Sequence, residues 1–141
     1  MTDAPLPITG GCKCGAVRYS ASAQPVRVRT CWCRDCQYFA AGSATVNAMF
    51  RTTDISFTGA LSRYESSADS GNRMVRSFCP TCGTPVVTAS LARPDMVGVR
   101  GGTLDDPNLF PPSATIWTSS APGWACIDPD LPKTEGQPPP I

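Results

Sequence analysis

Seven of the eight cysteines fall into three tight groups. Cys12-Lys13-Cys14 is a CxC, Cys31-Trp32-Cys33-Arg34-Asp35-Cys36 a CxCxxC, and Cys79-Pro80-Thr81-Cys82-Gly83 a CxxC followed by glycine, while Cys126 stands alone. Cysteines so spaced can serve disulfides, metal or redox chemistry. Zinc–sulfur bonds of about 2.3 Å in a tetrahedron require ligands that converge at short range, which thiols one or two residues apart on a turn can do. Gly15 and Gly83 follow two of the groups and allow the chain to turn backbone N–H groups toward sulfur. Histidine is absent, which excludes a Ser-His-Asp triad, a Cys-His dyad, a His-ligated zinc and a His-held haem. The first ten residues carry no basic stretch followed by an apolar one, and no run of about 18 apolar residues exists. This predicts a cytoplasmic protein with no membrane partner, in a reducing setting where thiols are free for metal.

A CxC plus a CxxC supplies four thiolates, enough for a closed structural site. Cys12 and Cys14 with Cys79 and Cys82 would join the start of the chain to its middle, and in a small domain such metal binding is folding energy. The CxCxxC has three ligands of its own, Cys31, Cys33 and Cys36, and three protein ligands with an open fourth position is the pattern of a reactive zinc. Spacing leaves two other divisions open. Cys126 could complete a second closed site, or Cys31 or Cys33 could join Cys79 and Cys82.

The rest of the chain must position these groups with little apolar material. Only 25 of the 141 residues are Leu, Ile, Val or Phe, a scarcity that calls for support beyond aliphatic burial. With 12 Lys and Arg against 11 Asp and Glu, the net charge of +1 argues against a nucleic-acid clamp or a polybasic anchor. The 12 glycines and 15 prolines predict many turns and few long helices. Short stretches rich in Val, Tyr and Thr predict strands at 16–20, 26–30, 45–50, 55–58, 61–65, 74–78, 85–88 and 96–100. Gly59-Ala60 reads as a hairpin turn between two of them. A short helix is predicted at 35–41, an irregular loop at 104–112, and an extended Pro-rich tail from about 133. The expectation is one all-β, meander-like domain over 1–141, with the cysteines in its turns.

These residues resemble the glutathione-dependent formaldehyde-activating enzyme family. The matching stretches are Gly11-Cys12-Lys13-Cys14-Gly15-Ala16-Val17-Arg18-Tyr19, the CxCxxC, and Phe78-Cys79-Pro80-Thr81-Cys82-Gly83-Thr84-Pro85, with Ile116-Trp117-Thr118 and Pro129-Asp130-Leu131-Pro132 nearer the end. The resemblance implies the Mss4-like fold of several small curled antiparallel sheets with zinc-binding turns. It implies two zinc ions per chain: a structural one on Cys12, Cys14, Cys79 and Cys82, and a catalytic one on Cys31, Cys33 and Cys36. The implied activity is that of a carbon–sulfur lyase, with formaldehyde and glutathione as the prototype and S-hydroxymethylglutathione as the adduct. Two positions depart from the family: Trp32 stands where the second cluster usually has His, and Thr115 where a His often precedes the Ile-Trp pair.

A three-thiolate zinc is a weak Lewis acid, which favours a soft sulfur ligand over hydroxide and points to a small thiol partner. Arg34 is a candidate for a substrate carboxylate, and Trp32 for the pocket wall. Asp35 and Tyr38 are the nearest bases in sequence. Trp117 and Cys126 read as core residues, and Arg27, Arg29, Arg51, Arg63, Arg73, Arg76 and Arg100 as scattered. Two other readings compete: a non-catalytic zinc module for protein or nucleic acid, as centromere protein V suggests for this scaffold, and a thiol-redox enzyme using Cys126. Metal analysis of the purified protein is expected to return about two zinc ions per chain; one or none would sink the two-site reading.

Overall fold

The computed structural model describes residues 3–139. Its strands are β1 (Ile8–Gly11), β2 (Arg18–Ala21), β3 (Arg27–Cys31), β4 (Thr45–Arg51), β5 (Ile55–Thr58), β6 (Ser62–Ser67), β7 (Arg73–Phe78), β8 (Pro85–Ser90), β9 (Met96–Arg100) and β10 (Ala114–Ile116), with one short helix, α1 (Arg34–Phe39). The eight predicted strands are found within three residues of their expected ends. The irregular stretch after residue 104 is also found. β1 and β10 were not predicted, because ITGG and ATI are too short and too small to stand out from loop sequence.

Two sheets result. β1-β2-β5 form a small antiparallel sheet, and β10-β3-β4-β9-β8-β7-β6 form a seven-stranded one. The run β6 to β9 is the expected meander, but β10 pairs with β3 in parallel, a departure from the antiparallel expectation. Gly59-Ala60 is not a hairpin. β5 pairs with β2 and β6 with β7, so this turn carries the chain from one sheet to the other. Gly59 has φ +92°, and a Cβ there would lie 2.0 Å from the Ala16 carbonyl oxygen. The expected extended tail pairs with β10: Thr115 N–H donates to the Pro132 carbonyl (2.9 Å) and Thr134 N–H to the Thr115 carbonyl (3.0 Å). Residues 140–141 of that tail lie outside the described residues.

The core lies between the sheets. Ile8, Val17, Tyr19 and Ala21 meet Val28, Ala48, Phe50, Val97 and Val99, all buried. The strand period of two explains how so few aliphatics suffice. In β3, Val28 enters the core while Arg27, Arg29 and Cys31 take the other face. In β9, Val97 and Val99 enter it, and Arg100 takes the other face with Met96. In these strands the valines go to the core side, and the opposite face carries arginine, cysteine and methionine. Tyr19, buried, satisfies its hydroxyl on Thr103 Oγ1 at 2.8 Å.

Gly59→Ala is expected to destabilise the fold by more than about 2 kcal/mol in denaturant titration, since it adds a backbone clash to a left-handed φ. Gly71→Ala, at φ +85° with nothing near its Cβ, should cost about 1 kcal/mol. Equal losses would show that the close approach at Ala16 does not matter.

Candidate metal centre and pocket

Two loops of the same form bring the first and third cysteine groups together. After β1, Cys12 N–H donates to the Val17 carbonyl (3.0 Å) and Gly15 N–H to the Cys12 carbonyl (3.1 Å). After β7, Cys79 N–H donates to the Thr84 carbonyl (3.0 Å) and Gly83 N–H to the Cys79 carbonyl (2.8 Å). Lys13 N–H bonds the Thr84 hydroxyl (3.1 Å) and joins one loop to the other. The sulfurs of Cys12, Cys14, Cys79 and Cys82 all lie within 4.8 Å of one another. Cys12 and Cys14 are 3.6 Å apart at sulfur, and Cys14 and Cys79 3.8 Å. The edge of a zinc–thiolate tetrahedron is about 3.8 Å for 2.3 Å bonds, and a disulfide would need about 2.05 Å. Backbone donors also point at sulfur: Val17 N–H reaches Cys12 Sγ at 3.2 Å. The Thr84 hydroxyl at 3.1 Å, with backbone donors, holds the Cys82 thiol down at about 5. The donor set and spacing fit a tetrahedral metal that would tie the small sheet to the large one.

The second group is built by a strand end and a helix start. Cys31 closes β3, Cys33 is the N-cap of α1, and Cys36 lies in its first turn. Cys33 Sγ accepts from Cys36 N–H at 3.3 Å, the capping role that a serine or aspartate side chain usually plays. All three are buried and their sulfurs converge within 4.8 Å. Hydrogen bonds from Cys31 and Cys33, then the Thr45 hydroxyl and the Arg100 charge, hold the Cys36 thiol far below its ordinary range. Among the described residues no fourth His, Cys, Asp or Glu joins this group. The division is therefore four and three. Cys126 belongs to neither group and is exposed, not the core residue expected from sequence.

The three thiols open onto a cavity of about 400 Å³. Its wall includes Arg27, Arg29, Arg76, Arg93 and Arg100. The strand register explains the gathering. Arg27 stands opposite Met49 and Arg29 opposite Asn47 on β4, Asn47 opposite Arg100 on β9, and Arg76 opposite Thr88 on β8. One sheet face thus carries Arg27, Arg29, Arg76 and Arg100, while Arg93 comes from the turn between β8 and β9. Those four, read from sequence as scattered, are the residues that reading missed. The visible signal was the alternation Arg27-Val28-Arg29-Thr30-Cys31, which sends both arginines to the cysteine's side. Arg100 is buried, donates to Asn47 Oδ1 at 2.7 Å, and has its guanidinium pulled down by burial, with the neighbouring Cys36 sulfur working against this. Burial, then the charge of Arg27, pulls Arg29 down to about 10, which leaves it cationic at neutral pH.

Other expectations land elsewhere. Neither Arg34 nor Trp32 lines the cavity. Arg34 stacks over the Tyr38 ring at 5.2 Å and bonds Gln37, while Trp32 is buried edge-on to Trp124. Asp35 lies 3.6 Å from Arg76, and Tyr38 is exposed. Trp117, expected in the core, instead packs half-buried on the three thiols and lines the cavity. It adopts a left-handed backbone (φ +59°), costly for a bulky residue, and its Nε1–H donates to Gln137 Oε1 of the tail at 3.1 Å. Among the described residues no helix is long and apolar enough to cross a membrane.

Comparison with known proteins adds the family context. The sequence model of the glutathione-dependent formaldehyde-activating enzyme family matches residues 7–120, a span that holds all three cysteine groups and omits Cys126. A crystal structure of a Rhodobacter sphaeroides protein is similar at 21% sequence identity, over 89% of this chain and 99% of that one, with a TM-score of 0.57. At that identity the likeness concerns the fold.

Cys14→Ser, at an exposed position, is expected to lower stability by about 3 kcal/mol or more in metal-replete buffer. A strong chelator should bring native protein and variant to the same melting temperature. A variant as stable as the native chain before chelation would remove the structural role of this site.

Proposed function

Because the chain belongs to the glutathione-dependent formaldehyde-activating enzyme family, we propose that it is a zinc-dependent carbon–sulfur lyase. It makes or breaks the bond between a small thiol and a one-carbon carbonyl, as in S-hydroxymethylglutathione. The observation that carries this reading is the joint placement of three converging thiols and an arginine-rich wall around one small cavity. Arginines on an exposed stripe would suit a nucleic acid; arginines around a concave volume of about 400 Å³ suit a small anionic molecule.

Cys31, Cys33 and Cys36 would hold the reactive zinc, and Cys12, Cys14, Cys79 and Cys82 the structural one. A zinc with three thiolate ligands supplies a vacant position for a substrate sulfur and favours its ionised form. The addition is redox-neutral. The thiol loses its proton, its sulfur forms a bond to the carbonyl carbon, the carbonyl π pair moves to oxygen, and that oxygen takes up a proton. Cleavage runs the same steps in reverse.

The chain's own groups bind and orient. Ile116 and Trp117 wall the thiols and exclude water from one side. Arg100 brings a buried guanidinium beside the Cys36 sulfur, a fixed positive charge near the oxygen on which charge develops. The cavity wall holds no histidine or carboxylate among the described residues, so solvent exchanges the protons. A free thiol is only about 3% ionised at neutral pH, so full ionisation contributes roughly 2 kcal/mol. Holding sulfur and carbon together supplies much of the rest.

Cys33→Ser is expected to lose one of two zinc ions by elemental analysis, to keep most of its circular dichroism and thermal stability, and to lose adduct formation by at least about a hundredfold. A variant that retains both metals and its turnover would defeat the reactive-site assignment.

A further inference from the structure

The charges around the cavity do not cancel, and the remainder specifies what the cavity takes. Of its five arginines, Arg93 is paired with Asp95 through two contacts of 3.1 Å, and Arg76 with Asp35 at 3.6 Å. Arg100 bonds Asn47 and faces the Cys36 sulfur, so its charge offsets the thiolate group. Arg27 and Arg29 are left. Neither has an ion-pair partner among the described residues, and the Arg27 Nε is buried without a hydrogen-bond partner. They stand two residues apart on the same face of β3, in line with Cys31. Successive same-face positions on a strand are about 6.7 Å apart, so the two guanidiniums form a ladder leading away from the sulfurs. A guanidinium held in a cavity with no counter-charge is costly until an anion arrives. No carboxylate lines the cavity among the described residues, so nothing there balances a substrate ammonium.

We propose, building on the lyase reading, that the cavity selects a thiol carrying two anionic groups and no ammonium group, with Arg27 and Arg29 as the residues that set this specificity. Each guanidinium matches a carboxylate or similar oxyanion through a charge-assisted, two-point contact. Glutathione meets the first condition with its two carboxylates and fails the second with its amine. The better ligand is an acidic thiol of similar size whose amine is absent or capped.

The test keeps the scaffold constant and varies the charge. S-Methylglutathione, its N-acetyl derivative and its diethyl ester are titrated calorimetrically into the zinc-replete full chain; the S-methyl group prevents reaction. The N-acetyl derivative is expected to bind about tenfold tighter than S-methylglutathione, and the diethyl ester, which loses both carboxylates, about a hundredfold weaker, a factor of ten being the worth of one charge-assisted contact. Raising salt should weaken the N-acetyl derivative and should not weaken the ester, whose ammonium is repelled by the arginines. Arg29→Gln and Arg27→Gln should each cost the N-acetyl derivative about tenfold and should not weaken the ester. Equal affinities across the three ligands, or an N-acetyl derivative no tighter than its parent, would overturn the assignment. Turnover of free glutathione with formaldehyde is followed in parallel. Ordered binding without turnover defeats the lyase reading alone, and turnover with unordered binding defeats the charge assignment alone.

Discussion

The two-residue period of a β-strand is the constraint on which the molecule rests. Every strand of the large sheet has one face to give to the core and one to give away. Val28, Ala48, Phe50, Val97 and Val99 are enough to cover the small sheet because none of them is spent on the opposite face. That opposite face is then free to be polar, and it carries Arg27, Arg29, Arg76 and Arg100 around the thiols of Cys31, Cys33 and Cys36. Core economy and pocket chemistry are two sides of the same alternation. A one-residue slip in register would exchange them, placing arginine in the core and valine in the cavity.

The cysteine groups add what a thin core cannot supply. Two loops of matching hydrogen-bond pattern, one from each sheet, present four sulfurs at the spacing of a tetrahedron's edge. A metal there would join the two sheets at their shared core, where Cys12 and Cys79 are buried. The three-thiol group is different in kind. Its sulfurs are buried, one caps the helix that follows, and its open side faces a cationic cavity instead of a fourth ligand. Placing thiolates beside buried guanidiniums stabilises both, since each charge relieves the desolvation of the other.

The sequence made much of this readable. Eight strands, the short helix and the three cysteine motifs could be read from it, because residue spacing acts over distances that local geometry controls. The hairpin at Gly59 was misread for a physical reason. A glycine with positive φ suits a tight turn and a sheet-to-sheet crossing equally well, and the difference lies in the partner of β5, which is β2, more than 30 residues away. Arg34, between Cys33 and Cys36 in the chain, looked like the substrate cation, yet the helix it starts turns its side chain onto Tyr38. Trp117 and the tail were also beyond reach, since a proline-rich terminus carries no mark of the strand it will join.

Spacing along the chain was sufficient to establish that sulfur chemistry dominates, that ligands come in a CxC, a CxCxxC and a CxxC, and that strands with opposite faces carry them. These follow from short-range sterics, which any local segment obeys on its own. Which groups meet, that Cys126 stands apart, and that arginines from β3, β7 and β9 share one cavity came from the fold. Their positions are separated by tens of residues in the chain, and only strand register and sheet curvature determine which of them become neighbours.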